Sequence, residues 1–308
     1  MAVGSHTAAA SNSATAARAI LRRSLRSFYD DQMTHHAAAL TYFGLMSLFP
    51  LILLGVALLG LIGQYPATYD AILAVLDDVV PDSTLNAIDA SLESALRSKG
   101  IAVTALLVGL VAALYGTTGV LEAARRALNV TYEASEARGF IRRKATDIAS
   151  TLLMLGLVLV TLVLIFVGGD LAEELFDLVG LGAPAATVWS VVRWPLALAV
   201  AVLLFAWVYH VAPNVRHRGL RWIAPGAVIG VLIWLAASAI FSFIVSNFAA
   251  VNATYGTFTA AVVLLVWLWL TNLALLFGAE INAEIERGQQ FEEDRSGSTR
   301  LRMTRRHG

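Results

Sequence analysis

Residues 269–288 read "WLTNLALLFGAEINAEIERG". Up to Phe277 the stretch has the composition of a lipid-facing helix, yet it holds Asn272 and then runs into Glu280, Asn282, Glu284 and Glu286. At 100° per residue, Trp269, Leu273, Leu276, Glu280, Glu284 and Arg287 share one broad face that Asn272 borders. A charge at the centre of a spanning helix costs about 2.5–3.5 kcal/mol on insertion scales, so an acid placed there is functional by default. The acids start just beyond the apolar run. The patch therefore reads as the inner end of the last helix, coming out into water, with an upper edge that can line a cavity. Asn272 lies deeper, where its amide needs a partner on another helix.

The surrounding chain points to the same solvent. Of 308 residues 58% are hydrophobic and 14% charged, with mean hydropathy +0.70, a balance that a water-facing surface does not have. Cysteine is absent, which excludes disulfides and thiolate metal sites. The formal net charge is zero, so there is no bulk attraction to nucleic acid and none is expected as a partner. Residues 1–15 read as a disordered Ser/Ala/Thr tail without the pattern of a secretory signal, 16–288 as the membrane domain, and 289–308 as a basic disordered tail.

Six stretches reach the roughly 20 apolar residues that a spanning helix needs: 40–62, 101–121, 148–167, 194–211, 223–245 and 258–277. Lys and Arg alternate between them. The N-terminal segment holds four, the second loop six, the fourth loop three and the C-terminal segment six, whereas the intervening face has only Arg97, Lys99 and Arg193. Basic loops stay in the cytoplasm. The expected fold is all-α and polytopic, with six transmembrane helices, both termini cytoplasmic, and the chain resident in a bacterial cytoplasmic (inner) membrane among membrane lipids.

Short amphipathic helices are expected in the first extracytoplasmic loop, where Leu85, Ile88, Leu92 and Leu96 recur at helical spacing among acids. A second amphipathic pattern, Ile20, Leu21, Leu25 and Phe28 against Arg18, Arg22 and Arg26, predicts an interfacial helix leading into the first span. Pro50 inside the first span predicts a kink. Gly116, Thr117, Thr118 and Gly119 make a small, hydroxylated surface suited to close helix approach. Glu122 follows at the membrane edge, where Arg125 and Arg126 can neutralise it. His210, which follows Tyr209, and Arg193, between Trp189 and Trp194, read as interfacial anchors.

Asp31 with His35 and His36 has a spacing able to hold a metal, but two or three ligands do not define a site, so no metal or other cofactor is expected. No phosphate loop, nucleophile elbow or His-Glu-x-x-His helix occurs, and the loops are short. An enzymatic activity is not expected.

The segments "AAALTYFGLMSLFPLILLGVALLG", "LYGTTGVLEAARRALNVTY", "YHVAPNVRHRGLRWIAPGAVIGVLIWLAASAIFSFIVSNF" and "YGTFTAAVVLLVWLWLTNLALLFGAEINAEIER" together resemble the YihY/BrkB membrane protein family, formerly labelled ribonuclease BN. The resemblance covers about 34–288. It maps Ser47, Phe49 and Pro50 onto the first-span motif, Pro213 and Asn214 onto the turn of the fourth loop, and Tyr255, Gly256, Gly278, Ala279, Glu280 and Asn282 onto the last-span motif. Thr271 and Asn272 stand where family patterns often have Ser or a similar residue. The resemblance implies a six-span inner-membrane protein associated with envelope integrity.

The leading expectation is a transporter or lipid-handling permease of unknown substrate. Its candidate path-lining or motif residues are Ser47, Pro50, Thr117, Thr118, Glu122, Pro213, Asn214, Tyr255, Gly256, Asn272, Gly278, Glu280 and Asn282. The alternatives are a scaffold that holds an envelope protein through the acidic outer loop, and a ribonuclease, for which the clustered acids and histidines are missing.

Overall fold

A computed structural model describes residues 18–62, 99–166, 172–173, 176–177, 182–215, 220–247 and 259–295. The amphipathic stretch of the first outward loop, Tyr255, Gly256 and residues 1–17 and 296–308 lie outside the described residues, whereas 289–295 are helical. What is described is helical. Helix α1 spans 18–30, and six long helices follow: α2 (Met33–Ile62), α3 (Lys99–Thr131), α4 (Phe140–Phe166), α5 (Gly182–Val211), α6 (Leu220–Asn247) and α7 (Thr259–Arg295). Even the 27 residues of α4 reach about 40 Å at 1.5 Å per residue, more than the thickness of a bilayer core.

Four of these helices contain windows long and apolar enough to cross a membrane: Phe140–Thr161, Pro184–Val211, Ile223–Asn247 and Ala261–Gln289. Their surfaces agree with their composition. Leu159 is 61% exposed and Phe243 66%, amid many other exposed aliphatic side chains on α4, α5 and α6. In water such continuous apolar surface would drive association; in lipid it needs no cover. The apolar stretches 40–62 and 101–121 fall on α2 and α3.

By packing, the chain divides into two units. One comprises Ala39–Val120 and Ser242–Leu268. Within it, a side chain at Gly116 would come to 3.1 Å from the Ser47 backbone, and one at Gly119 to 2.8 Å from the Phe43 ring. The small-residue surface of α3 thus brings it close to α2. Ser47 and Thr118 are buried, each bonding back onto its own helix, to Gly44 O and Tyr115 O. Helix α2 continues through Pro50.

The other unit comprises Met1–Ala38, Leu121–Phe241 and Trp269–Gly308, and it holds the site below. Its helix ends are specific. At the end of α3, Ala134 N–H donates to Asn129 O (2.8 Å) and Glu133 N–H to Val130 O (3.0 Å), with Glu133 in the left-handed region at φ 50°. This is a Schellman closure with a non-glycine residue at its turning point. In α1, Phe28 turns inward and packs edge-on against Phe277 at 5.6 Å, while Leu21, Leu25 and Tyr29 stay exposed beside Arg18, Arg22 and Arg26. That is the surface an interfacial helix presents.

Candidate functional site

The segment that ends the last helix does not surface. Helix α7 runs unbroken to Arg295, and Glu280 (0% exposed), Asn282 (2%), Glu284 and Glu286 are all buried. The expectation of a helix end opening into water is corrected here: the polar run leaves the apolar window only to be enclosed by protein. Each polar group then needs a partner, because a buried unpaired one costs roughly 1–3 kcal/mol.

Asn282 finds its partners on α6. Its Oδ1 accepts from Gly226 N–H (2.7 Å) and its Nδ2 donates to Ile223 O (2.9 Å). Between those two positions stands Pro225, which has no N–H and whose ring blocks the regular helical bond. The amide of Asn282 therefore bridges α6 across Pro225, where the helix lacks one of its donors. The contact is close because no side chain intervenes. A Cβ at Gly226 would overlap Gly278 O and the Asn282 side chain, and one at Gly278 would overlap the Tyr209 hydroxyl. Tyr209 donates its hydroxyl proton to Leu275 O at 2.6 Å and is fully buried. It ties α5 to α7 from within the core. Nearer the middle of α7, the Trp234 indole donates to Thr271 Oγ1 at 3.1 Å, and Asn272 beside it is half-buried.

Glu280 faces the end of α3. Thr131 Oγ1 donates to Glu280 Oε1 at 2.8 Å, with Met33 Sδ 3.9 Å from the same hydroxyl. Glu280 Oε2 is enclosed and has no hydrogen-bond partner among the described residues. Tyr132 packs beside the site with Val215 and Ala283. Burial pushes the Tyr132 phenol up, and the negative charges of Glu286 and Glu280 add to that, so it stays a neutral hydroxyl. One turn on, Glu284 accepts from Arg287 Nη1 (2.6 Å) and from Arg23 Nε (2.8 Å), and Arg287 Nη2 donates to Thr131 O (2.6 Å). The guanidinium thus caps an open carbonyl of α3 while it neutralises Glu284.

A second polar layer lies in the same unit. Arg138 donates from Nη1 to Val211 O (3.1 Å) and from Nη2 to Ala212 O (2.9 Å), capping the end of α5. Glu136 holds that guanidinium from the other side at 2.8 Å. Asn214, fully buried next to buried Pro213, donates its backbone N–H to Asn129 Oδ1 and its amide to Ser135 O, both at 2.8 Å. The Pro213-Asn214 turn is thus clamped onto the α3–α4 connection. Arg126 bonds Glu122 at 2.8 Å as expected, but Arg125 turns inward to pair with buried Asp147 of α4.

Burial works against ionisation of Glu136, but the Arg138 bonds outweigh it and hold this carboxyl below the ordinary 4.5. A carboxylate with a depressed pKa contributes stability that is present above its unfolded value and lost as pH falls through the folded one. Thermal stability in detergent is accordingly expected to drop as pH falls below about 4.5, and Glu136→Gln to flatten that drop. An acid limb of equal depth in Glu136→Gln would refute the assignment.

Of the candidate residues, Glu122, Pro213, Asn214, Asn272, Gly278, Glu280 and Asn282 belong to this unit, and Ser47, Pro50 and Thr118 to the other; of Thr117 only the helical backbone is described. The residues that sequence reasoning missed are Thr131, Tyr132, Arg138 and Gly226. The one available signal was the run "PGAVIG" (225–230), which sets a proline beside two glycines four apart. Among the described residues no three His, Asp or Glu side chains come together as a metal site would require.

Long apolar helices with lipid-compatible faces, closed by buried Asn–backbone and Glu–Thr bonds, define an all-helical membrane protein. The comparisons give that class its family: the family model for virulence factor BrkB matches residues 24–303, and the chain belongs to that family. Among its relatives is the ribonuclease-like protein YfkH of Bacillus subtilis, 32% identical, with 84% of this chain and 92% of that one covered. A UPF0761 membrane protein of Pseudoalteromonas translucida is 26% identical over 88% of this chain and 89% of its own. One from Xanthomonas campestris pv. campestris is 28% identical over 83% of this chain but only 58% of its own length. No solved structure matches.

Proposed function

We propose that the chain is a multi-pass permease of the bacterial cytoplasmic membrane, not an enzyme, with six spans and both termini in the cytoplasm, and that Glu280 is its working group. The observation that carries this reading is the carboxyl itself. It is wholly buried, bonded through one oxygen to Thr131, with the other oxygen unpartnered among the described residues. An acid used only for packing would be cheaper as Gln or Leu; one kept in such a place holds and releases a proton or receives a polar group of cargo. The neighbouring Gly226–Gly278 contact and the Asn282 bridge across Pro225 hold α6 close against α7 beside it. The substrate class is a small solute or a lipid. The alternating arginines of the sequence support the six-span orientation.

The test is transport by proteoliposomes that hold a pH-sensitive dye and a fluorescent phospholipid in one leaflet. Wild type is expected to move protons or lipid, and Glu280→Gln, which keeps the Thr131 bond and the shape, to lose at least about tenfold in rate. Wild-type vesicles that move neither probe, or a Gln variant as fast as wild type, would remove the basis of the reading.

A further inference from the structure

A cavity of about 460 Å³ opens between α4 and α5, lined by Thr146, Ala149 and Ser150 on one helix and Trp207 and His210 on the other. It lies apart from the Glu280 site and touches the Arg138 clamp only at Val211. Its chemistry is graded along the helix axes. On α4, Arg142, Thr146, Ala149, Leu153 and Val160 recur at spacings of three, four and seven and so share one face. Arg142 is exposed at the basic end, beside Arg143 and Lys144, whereas Leu153 and Val160 are exposed further into the apolar window. On α5 the row Leu196, Leu203, Trp207 and His210 has the same order, with both leucines exposed. Each wall therefore runs from cation or imidazole, through the cavity, to bare aliphatic surface.

Two kinds of donor in this groove, guanidinium and indole, sit at different depths. Thr146 gives its hydroxyl proton to Arg142 O at 2.9 Å, so it offers no donor of its own. Arg142 and Arg143 stand at the outer end; Arg143 also lies 5.8 Å from the Phe140 ring. Deeper, Trp207 Nε1 is enclosed and has no hydrogen-bond partner among the described residues. A free phosphate would satisfy only the guanidinium end. An amphiphile with an anionic head, a carbonyl acceptor a few ångströms deeper and an aliphatic tail matches all three levels.

The geometry points to a binding site for one anionic glycerophospholipid in the α4–α5 cavity, its phosphate at Arg142 and Arg143, an ester carbonyl at the Trp207 indole, and an acyl chain along Leu153 and Leu203. Charge complementarity at the basic end selects an anionic headgroup over a zwitterionic one. This site stands whether or not Glu280 carries transport.

The test uses the full chain purified in detergent and examined by native mass spectrometry with dioleoyl phosphatidylglycerol, with dioleoyl phosphatidylcholine, or with phosphatidylglycerol plus millimolar inorganic phosphate. One phosphatidylglycerol is expected to be retained per chain, phosphatidylcholine not, and inorganic phosphate not to displace the lipid. The double variant Arg142→Gln/Arg143→Gln is expected to lose affinity by about tenfold or more, and a variant with Arg300→Gln and Arg302→Gln in the C-terminal tail to lose none. A second readout avoids any folding defect: phospholipids brominated on the acyl chain should quench wild-type fluorescence more than that of Trp207→Phe. Equal retention of both lipids, displacement by phosphate, an unaffected double variant, or equal quenching in Trp207→Phe would each overturn the assignment.

Discussion

Arg125→Ala is expected to destabilise the protein by about 3–5 kcal/mol, enough to lower the yield of folded material in mild detergent. The side chains of Arg125 and Asp147 are each only 4% exposed and pair directly between α3 and α4, with Glu136 3.5 Å from the Arg125 Nε. Removing the cation strands a buried carboxylate, and the cost is that of the orphaned charge more than of the lost attraction. The double variant Arg125→Met/Asp147→Leu should therefore recover most of the loss, since a buried ion pair replaced by apolar groups of similar volume is often neutral or better. A thermal-shift series over the two single variants and the double variant decides this. Singles that melt with wild type would show the pair to be solvated. A double variant as unstable as the singles would show that the ion pair itself is required.

The second large effect is at the glycine contact. Gly226→Val should prevent folding altogether, and Gly278→Ala should cost about 3 kcal/mol or more. Any Cβ there overlaps the partner helix backbone, the Asn282 side chain or the Tyr209 hydroxyl, where overpacking typically costs 1–3 kcal/mol even without a backbone clash. Neither neighbour is free to yield. Asn282 is held by two bonds across Pro225 and Tyr209 by its bond to Leu275 O. As a contrast, Gly156→Ala on α4 meets nothing within 4 Å and should be neutral or slightly stabilising. Monodispersity on size exclusion, compared across the three variants, checks the ordering; a well-behaved Gly226→Val protein would contradict the packing described.

These effects also mark what sequence could and could not reveal. The helices are legible because each must satisfy its own backbone in lipid, so length and hydropathy locate them almost unaided. A close helix approach was readable from Gly116 and Gly119, though not that its partner is α2, and the apolar stripe of α1 did not show Phe28 turning onto Phe277. The polar end of α7 was not. A run such as Glu280-Ile281-Asn282-Ala283-Glu284 looks the same whether it emerges into water or is enclosed, because hydropathy reports what a helix carries and not what lies opposite it. What decides the matter is Pro225 and Gly226, more than fifty residues earlier, together with Thr131 at the end of α3, which Glu280 and Arg287 of α7 both contact. Tyr209 illustrates the same blindness. Its place near a span end tells nothing of its partner, and only the contact with Leu275 O reveals a tie in the core.

Everything proposed for Glu280 depends on the end of α7 being enclosed in protein, and the chain offers a clean way to measure that because it has no native cysteine. Ala279→Cys and Ala283→Cys flank the carboxylate at fully buried positions, and Arg26→Cys lies at an exposed one. In vesicles opened to both faces, a water-soluble maleimide should label the Arg26→Cys protein rapidly and the other two only after denaturation. Labelling of Ala279→Cys and Ala283→Cys in the native protein at the rate of Arg26→Cys would place the segment in water and contradict the account.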